Sequence, residues 1–525
     1  MSGLGALRSI DRLAEALRAR AERYPWVLLL GFSILYFAVT ALDGSRRLVW
    51  YDELFTYHIS RLPTFSHIWR ALSTGIEQIP PLFWLITRVS THFLGDGPVG
   101  IRLPEMIGFW VMTLGLYRFV ARRSGALYGC LAMVFPLATG AARYTIEGRP
   151  YGLLLAFSIL ALLAWRASGE RGHRALAILG LAASLVAALG THYYAVLLLP
   201  ALVVAELVRS ARRRRLDLPV LAAISLPLLS LLLYLPLIRG ARTYAEHFWA
   251  RAQWKSLAVA YRFLLDPALG PLVILLALAA VLARPRPETS GAVDGPGSEP
   301  PPEEVAAAAG FLAIPLVGMA VAKLATNAFT TRYVLTTVIG ASILFAWAAH
   351  RLLRGRALPA FALLLVLGGS FGIREYVDIK GGSASAIALA RNYDFLESAQ
   401  TGSLPIVVVE AHVFLQLLYY APPAVADRLL YVSDFRRADR ESRVDTTERN
   451  LLELRHQARV RVQEYDAFVA GVSGPFLIYG NQAGRWRWLT SALESDGIPV
   501  RLIASATRRR GTEGGRLLFL AEPPR

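Results

Sequence analysis

Long apolar runs, separated by short polar stretches rich in arginine, make up the first two thirds of the chain. "WVLLLGFSILYFAVTAL" (26–42) and "LPVLAAISLPLLSLLLYLPLI" (218–238) are two of them. A run of about 18–20 apolar residues is long enough to cross the ~30 Å hydrocarbon core of a bilayer as a helix. The pattern predicts such helices over 24–43, 101–121, 125–142, 150–167, 174–190, 193–210, 217–238, 269–284, 305–323, 332–349 and 357–373. That is a polytopic α-helical membrane protein with about eleven crossings. Ahead of them, Leu4, Leu7, Ile10, Leu13 and Leu17 recur at helical spacing with arginines between. Residues 1–23 are therefore expected to form an amphipathic helix on the cytoplasmic surface. The first apolar run is too long for a signal-peptide core and no small-residue cleavage site follows it, so it reads as a retained anchor.

Past residue 374 the pattern changes. "LPIVVVEA" (404–411), "RLLYVSD" (428–434), "GPFLIYGN" (474–481), "IPVRLIAS" (498–505) and "GRLLFLAE" (515–522) are short strand-like runs. Helical stretches such as "HVFLQLLYYA" and "AGRWRWLTSALESDG" lie between them. This alternation predicts a small α/β domain with a largely parallel sheet over 375–525. It has neither a G-x-G-x-x-G after a strand nor a Walker A pattern, so nucleotide binding finds no support. The stretch "RPRPETSGAVDGPGSEPPPEEV" is rich in Pro, Gly and Glu, and 284–304 reads as a cytoplasmic linker.

Charge orients this layout. Hydrophobic residues make up 55% of the chain and the net charge is +18. The arginine clusters at 122–124, 166–174, 212–215, 284–287 and 350–356 fall on alternate loops. With all of them inside, the N-terminus is cytoplasmic, and 44–100, 143–149, 191–192, 239–268, 324–331 and 374–525 lie outside. The apolar segment 79–95 would invert this order if it crossed; it is short and carries Arg88 and His92, so a helix lying at the outer face is expected. Positive charge spent on membrane orientation argues against a nucleic-acid partner. The single cysteine, Cys130, excludes an intrachain disulfide.

Candidate chemistry gathers on the outer side. In "WYDELFTYH", Asp52 and Glu53 stand together just past the first crossing, flanked by Trp50, Tyr51, Phe55 and Tyr57. Such a doublet suits a solvated helix start; carboxylates held near hydrocarbon are also costly, and usually functional. Partial burial is expected to raise the Asp52 pKa. Outer turns add Arg143, Glu147 and Arg149 in "ARYTIEGRPYG", His192 in "GTHYYA" and Arg332 in "TNAFTTRYVL". Each alone reads equally as an interfacial anchor. Together they put acids, arginines and a histidine on one side of the membrane, while the spans show almost no charge that could form an ion path.

"WYDELFTYHIS", "QIPPLFWLITRVSTHFLGDGPVGIRLPEMI", "YTIEGRPYGLLLAF", "THYYAVLLL" and "TRYVL" occur in order over residues 24–350. They resemble the GT-C superfamily of polyprenyl-phosphate-sugar-dependent glycosyltransferases, in particular bacterial family 39-like members. Their relatives include protein O-mannosyltransferases and the lipid A aminoarabinose transferase. "VVVEAHVFLQLLYYAPPAVADRLLYVSD" is similar to the outer domain of such proteins.

The resemblance implies a GT-C transmembrane catalytic domain over 24–374, with its first outer loop at 44–100, and a periplasmic α/β domain after it. It implies an inverting transferase in a bacterial inner membrane. The donor would be a polyprenyl-phosphate sugar and the acceptor a lipid, glycan or protein. Asp52 would be the general base and Glu53 its partner, the two also being the candidate ligands for a divalent cation, magnesium or manganese. Arg332, Arg149 and His192 would bind the donor phosphate, with Glu147 a further site carboxylate. Tyr51, Tyr57 and Tyr333 would line the donor and acceptor sites. A lipid-linked glycan flippase, or a polymerase or ligase using a diphosphate donor, are the alternatives. The histidine that often precedes Pro-Pro in the family is replaced here by Gln78-Ile79.

Overall fold

The computed structural model describes residues 2–170, 172–244, 249–265, 299–398, 402–437, 446–481, 487–506 and 515–524, with isolated positions between 270 and 277. The span expected over 269–284 lies outside the described residues apart from those positions, as does most of the 284–304 linker. Every other predicted span coincides with helix.

Among the described residues five helices are long and apolar enough to cross a membrane: Pro25–Arg46, Pro98–Ala138, Arg174–Thr191, Tyr193–Arg213 and Ala357–Glu397. Two bent pairs raise this to seven: Leu218–Leu232 with Leu235–Arg242, bent by 64°, and Pro302–Leu312 with Ile314–Thr326, bent by 49°. Tyr151–Ala167 and Thr337–Leu352 are shorter apolar helices. Pro98–Ala138 holds two of the expected spans, because the chain reverses at Gly125, whose φ of 81° and ψ of 169° are open to glycine. Beyond that turn the helix packs back on itself: a Cβ on Gly129 would meet the Ala121 Cβ at 2.7 Å. Leu176, Leu179, Leu233 and Leu365 are exposed on the outside of the bundle, as lipid-facing positions are.

The 79–95 segment forms the helix Leu82–Leu94, opened by Pro81 and ended by Gly95. Its 13 residues rise about 20 Å, short of a hydrocarbon core. One expectation changes. The spans do bury charge: Arg102 and Glu105 in one, Glu206 and Arg209 in another, all at 3% exposure or less. Burial is tolerated because partners are built in. Glu206 pairs with Arg209 and accepts a hydrogen bond from Trp165 Nε1 at 2.9 Å. Position by position the sequence shows only isolated polar residues; the pairing belongs to the packing.

The C-terminal sheet has six strands: β1 (Ile406–Val408), β2 (Leu429–Ser433), β3 (Val462–Glu464), β4 (Phe476–Asn481), β5 (Val500–Ala506) and β6 (Arg516–Ala521). Their order is β3-β2-β1-β4-β6-β5. β1, β2, β3 and β4 pair in parallel through helical crossovers, as expected. β6 runs antiparallel to both β4 and β5, which makes the sheet mixed. A short connection between β5 and β6 leaves no room for the crossover that parallel pairing requires. The sequence reading missed β3, a short strand at the sheet edge.

The sheet domain grips the first outer loop. The helix Ala411–Tyr420 satisfies both backbone groups of Val49: the Tyr420 hydroxyl accepts from Val49 N at 2.8 Å, and Gln416 Nε2 donates to Val49 O at 3.1 Å. Tyr419 donates to the Asp96 carbonyl at 2.8 Å. One apolar core runs from Leu54, Ile68 and Phe83 of the loop into Phe414, Leu429 and Leu477 of the sheet domain. The helix Ala357–Ser398 runs unbroken through the boundary expected at 374. The 44–100 loop and the sheet domain are thereby held together.

Candidate active site

The acidic doublet opens the helix Tyr51–Ser60, and its two carboxylates part company there. Glu53, 1% exposed, turns into the protein. It accepts from Arg102 Nε at 2.7 Å and Nη2 at 2.6 Å, from Gly148 N at 2.7 Å, and from the helix-start amide of Trp50 at 3.1 Å. The remaining Arg102 N–H groups go to the carbonyls of Gly44, Arg47 and Leu48. The guanidinium is saturated, and burial of Glu53 is outweighed by Arg102, which holds its carboxyl below the usual range. This knot ties the first loop to the helix beginning at Pro98 and to the 147–149 turn.

Asp52 turns the other way, into a cavity of about 650 Å³. Its Oδ2 accepts one hydrogen bond, from Arg332 Nη1 at 2.8 Å. Arg332 comes from the turn Thr331–Val334 and stacks on Trp249, 5.0 Å from the ring centre. Arg149 donates to the Asp52 carbonyl at 3.2 Å and clamps Glu77 with two parallel bonds of 2.9 and 2.8 Å. Glu77 reaches this position because the chain turns at Gly75, φ 85°, where a Cβ would meet the Gly240 carbonyl oxygen at 2.4 Å.

Burial pushes the Asp52 pKa up, but Arg149 and Arg332 outweigh it and the net shift is downward. The rise expected from burial alone is thus reversed by two cations that sequence proximity does not show. Arg149 is held charged: Glu77 and Asp52 together overcome its burial. His192 accepts from Tyr194 N at 3.1 Å through Nδ1, and burial with Arg332 and Arg149 nearby lowers its pKa to about 3. It is a neutral imidazole near pH 7. Two guanidinium groups line the cavity, and Arg149 Nε and Arg332 Nε are buried and without a hydrogen-bond partner among the described residues.

Asp52, Arg149, Arg332, His192, Tyr51 and Tyr333 all line this cavity. Glu53, Glu147 and Tyr57 do not. Glu147 is buried behind it, and burial with Glu53 close by raises its pKa to about 7. Tyr57 packs edge-on against Tyr419 at 5.0 Å. Glu77 and His412 were not singled out in the sequence. Glu77 sits beside the replaced Gln78 and Pro-Pro, which was the available signal; His412 carried none, coming from the other domain to pack at a tilt against Tyr51, ring centres 4.6 Å apart. The donors do not suit a divalent cation at Asp52 and Glu53, since both Glu53 oxygens are occupied by Arg102 and backbone amides. Among the described residues no group of three or more His, Cys, Asp or Glu side chains is placed to hold a metal.

Bundle and sheet domain together frame this cavity in a multi-pass, mostly helical membrane protein. Residues 78–238 match the family model described as dolichyl-phosphate-mannose-protein mannosyltransferase. The fold is similar to that of ArnT from Cupriavidus metallidurans bound to undecaprenyl phosphate, at TM-score 0.59 and 13% identity, covering 95% of this chain and 98% of that one. The apo structure of the same ArnT matches at TM-score 0.51 and 14% identity, with the same coverage. No curated protein matches the chain in sequence.

Proposed function

We propose that the protein transfers a sugar from a polyprenyl phosphate to an acceptor hydroxyl or amine at the outer face of a bacterial inner membrane. The N-terminus is cytoplasmic and the sheet domain periplasmic. The observation that carries this reading is the pair of guanidinium groups, Arg149 and Arg332, lining one cavity with Asp52, each with an Nε that no described residue satisfies. Guanidinium groups are matched to phosphate oxygens in geometry and charge. The 78–238 family match and the ArnT fold, seen there with undecaprenyl phosphate, support it.

The chemistry follows from the pairings. The donor phosphate docks on Arg149 and Arg332, with His192 a neutral hydrogen-bond partner beside it. Arg332 then shares its charge between phosphate and Asp52, so the grip on Asp52 loosens and its pKa rises. The acceptor oxygen attacks the anomeric carbon from the side opposite the phosphate. Its proton passes to Asp52, the bond between anomeric carbon and phosphate oxygen breaks, and polyprenyl phosphate leaves with the electron pair. The configuration inverts. General-base help of this kind is worth about 10²–10⁴-fold, and removing one preorganised charge-stabilising donor costs about 10²–10³-fold.

The test is purified protein incubated with polyprenyl-phosphate hexose labelled in the sugar, and in parallel with the diphosphate-linked sugar. Release of free polyprenyl phosphate from the first is expected. Movement of intact donor across a liposome membrane with no release would instead identify a flippase, and release from the diphosphate alone a polymerase or ligase.

A further inference from the structure

Part of the lining of the cavity that holds Arg149 and Arg332 comes from the C-terminal sheet domain. His412 comes from the helix Ala411–Tyr420, and Thr446, Thr447 and Asn450 from the helix Thr446–Gln457. His412 packs at a tilt against Tyr51, next to Asp52 in sequence. The Thr447 carbonyl accepts from the Tyr51 hydroxyl at 3.4 Å. Burial lowers the His412 pKa, so the ring is neutral near pH 7. Asn450 is 9% exposed, and its Oδ1 is buried with no hydrogen-bond partner among the described residues. The sheet domain therefore brings an amide, two threonines and an imidazole to the lining, while the helical bundle brings two guanidinium groups.

We infer that the sheet domain forms the acceptor subsite, and that it takes a neutral, hydroxyl-bearing group of the kind a sugar ring presents. The inference rests on the function proposed above. In an inverting displacement the nucleophile and the leaving group lie on opposite faces of the reacting carbon. With phosphate held at Arg149 and Arg332, the uncharged part of the lining, around His412 and Asn450, is left for the acceptor. A buried carbonyl oxygen without a partner is costly unless a ligand donor reaches it. A hydroxyl supplies that donor, and His412 and Tyr51 offer ring faces against which a sugar packs. The domain is thus part of the site rather than a cap upon it.

The test is saturation-transfer NMR on the full-length protein in detergent, with a mixture of methyl glucoside, mannoside and galactoside as the probe. Transfer to sugar-ring protons is expected for the wild type. Asn450→Leu, matched in unfolding temperature, is expected to weaken it about tenfold, the weight of one buried hydrogen bond. Arg332→Ala is expected to retain it, since that residue faces the phosphate. No transfer on the wild type, equal transfer in Asn450→Leu, or loss in Arg332→Ala matching that in Asn450→Leu would each overturn the assignment. Failure of the proposed function shows separately, as no polyprenyl phosphate released from the labelled donor.

Discussion

Asp52 and Glu53 are neighbours in sequence and close in chemistry, yet the fold uses them in opposite ways. Glu53 has four hydrogen bonds, 1% exposure and a saturated arginine. Asp52 has one side-chain bond, to an arginine whose Nε no described residue satisfies, and it faces a cavity. The difference teaches where to look for chemistry. A carboxylate whose every lone pair is consumed by the protein is architecture, and one held by a partner that a ligand can take over is available to react. Helix geometry separates them, since successive residues point about 100° apart around the axis.

The largest effect should come at Asp52. Asp52→Asn is expected to lower sugar transfer by about 10²–10⁴-fold with no change in unfolding temperature, measured by donor turnover and thermal denaturation of the same preparation. At Glu53 the outcome is expected to be reversed. Glu53→Gln leaves a buried Arg102 charge without its partner, at a cost of about 3–5 kcal/mol. Reduced yield of folded protein and a lowered unfolding temperature should precede any specific effect on turnover.

Arg332→Ala sharpens the comparison through pH. It should cost about 10²–10³-fold in turnover. It also removes a group that lowers the Asp52 pKa, so the acid limb of kcat/KM moves to higher pH. The wild-type limb is expected below the ordinary aspartate pKa of about 3.9. An unmoved limb would take Asp52 out of the profile.

Glu147 gives the smallest expected effect, and an opposite sign. Its pKa is raised to about 7, above the unfolded value of about 4.3. The unfolded chain ionises first, so stability falls as pH rises between these values. Glu147→Gln removes that penalty and should stabilise the protein by about 3–4 kcal/mol at pH 8 and leave it unchanged at pH 4. Unfolding temperatures at the two pH values check it.

Much of this was legible beforehand, for physical reasons. A membrane span must be apolar nearly throughout, so the helices are written locally. Asp52 and Arg332 could be named together because the charge pattern puts both on turns at the same side of the spans, although 280 positions separate them. Partners were not legible. That Arg102 saturates Glu53, that Arg149 clamps Glu77, and that His412 arrives from the sheet domain are facts of packing between distant segments. The Asp52 pKa shows the cost: burial was readable from the flanking aromatics, the two arginines that reverse its effect were not.

The most direct measurement is release of polyprenyl phosphate by Asp52→Asn protein, purified in parallel with the wild type and matched to it in unfolding temperature. The account predicts a folded protein whose release from labelled donor is reduced by roughly a hundredfold or more. Release near the wild-type rate from that folded variant would contradict it.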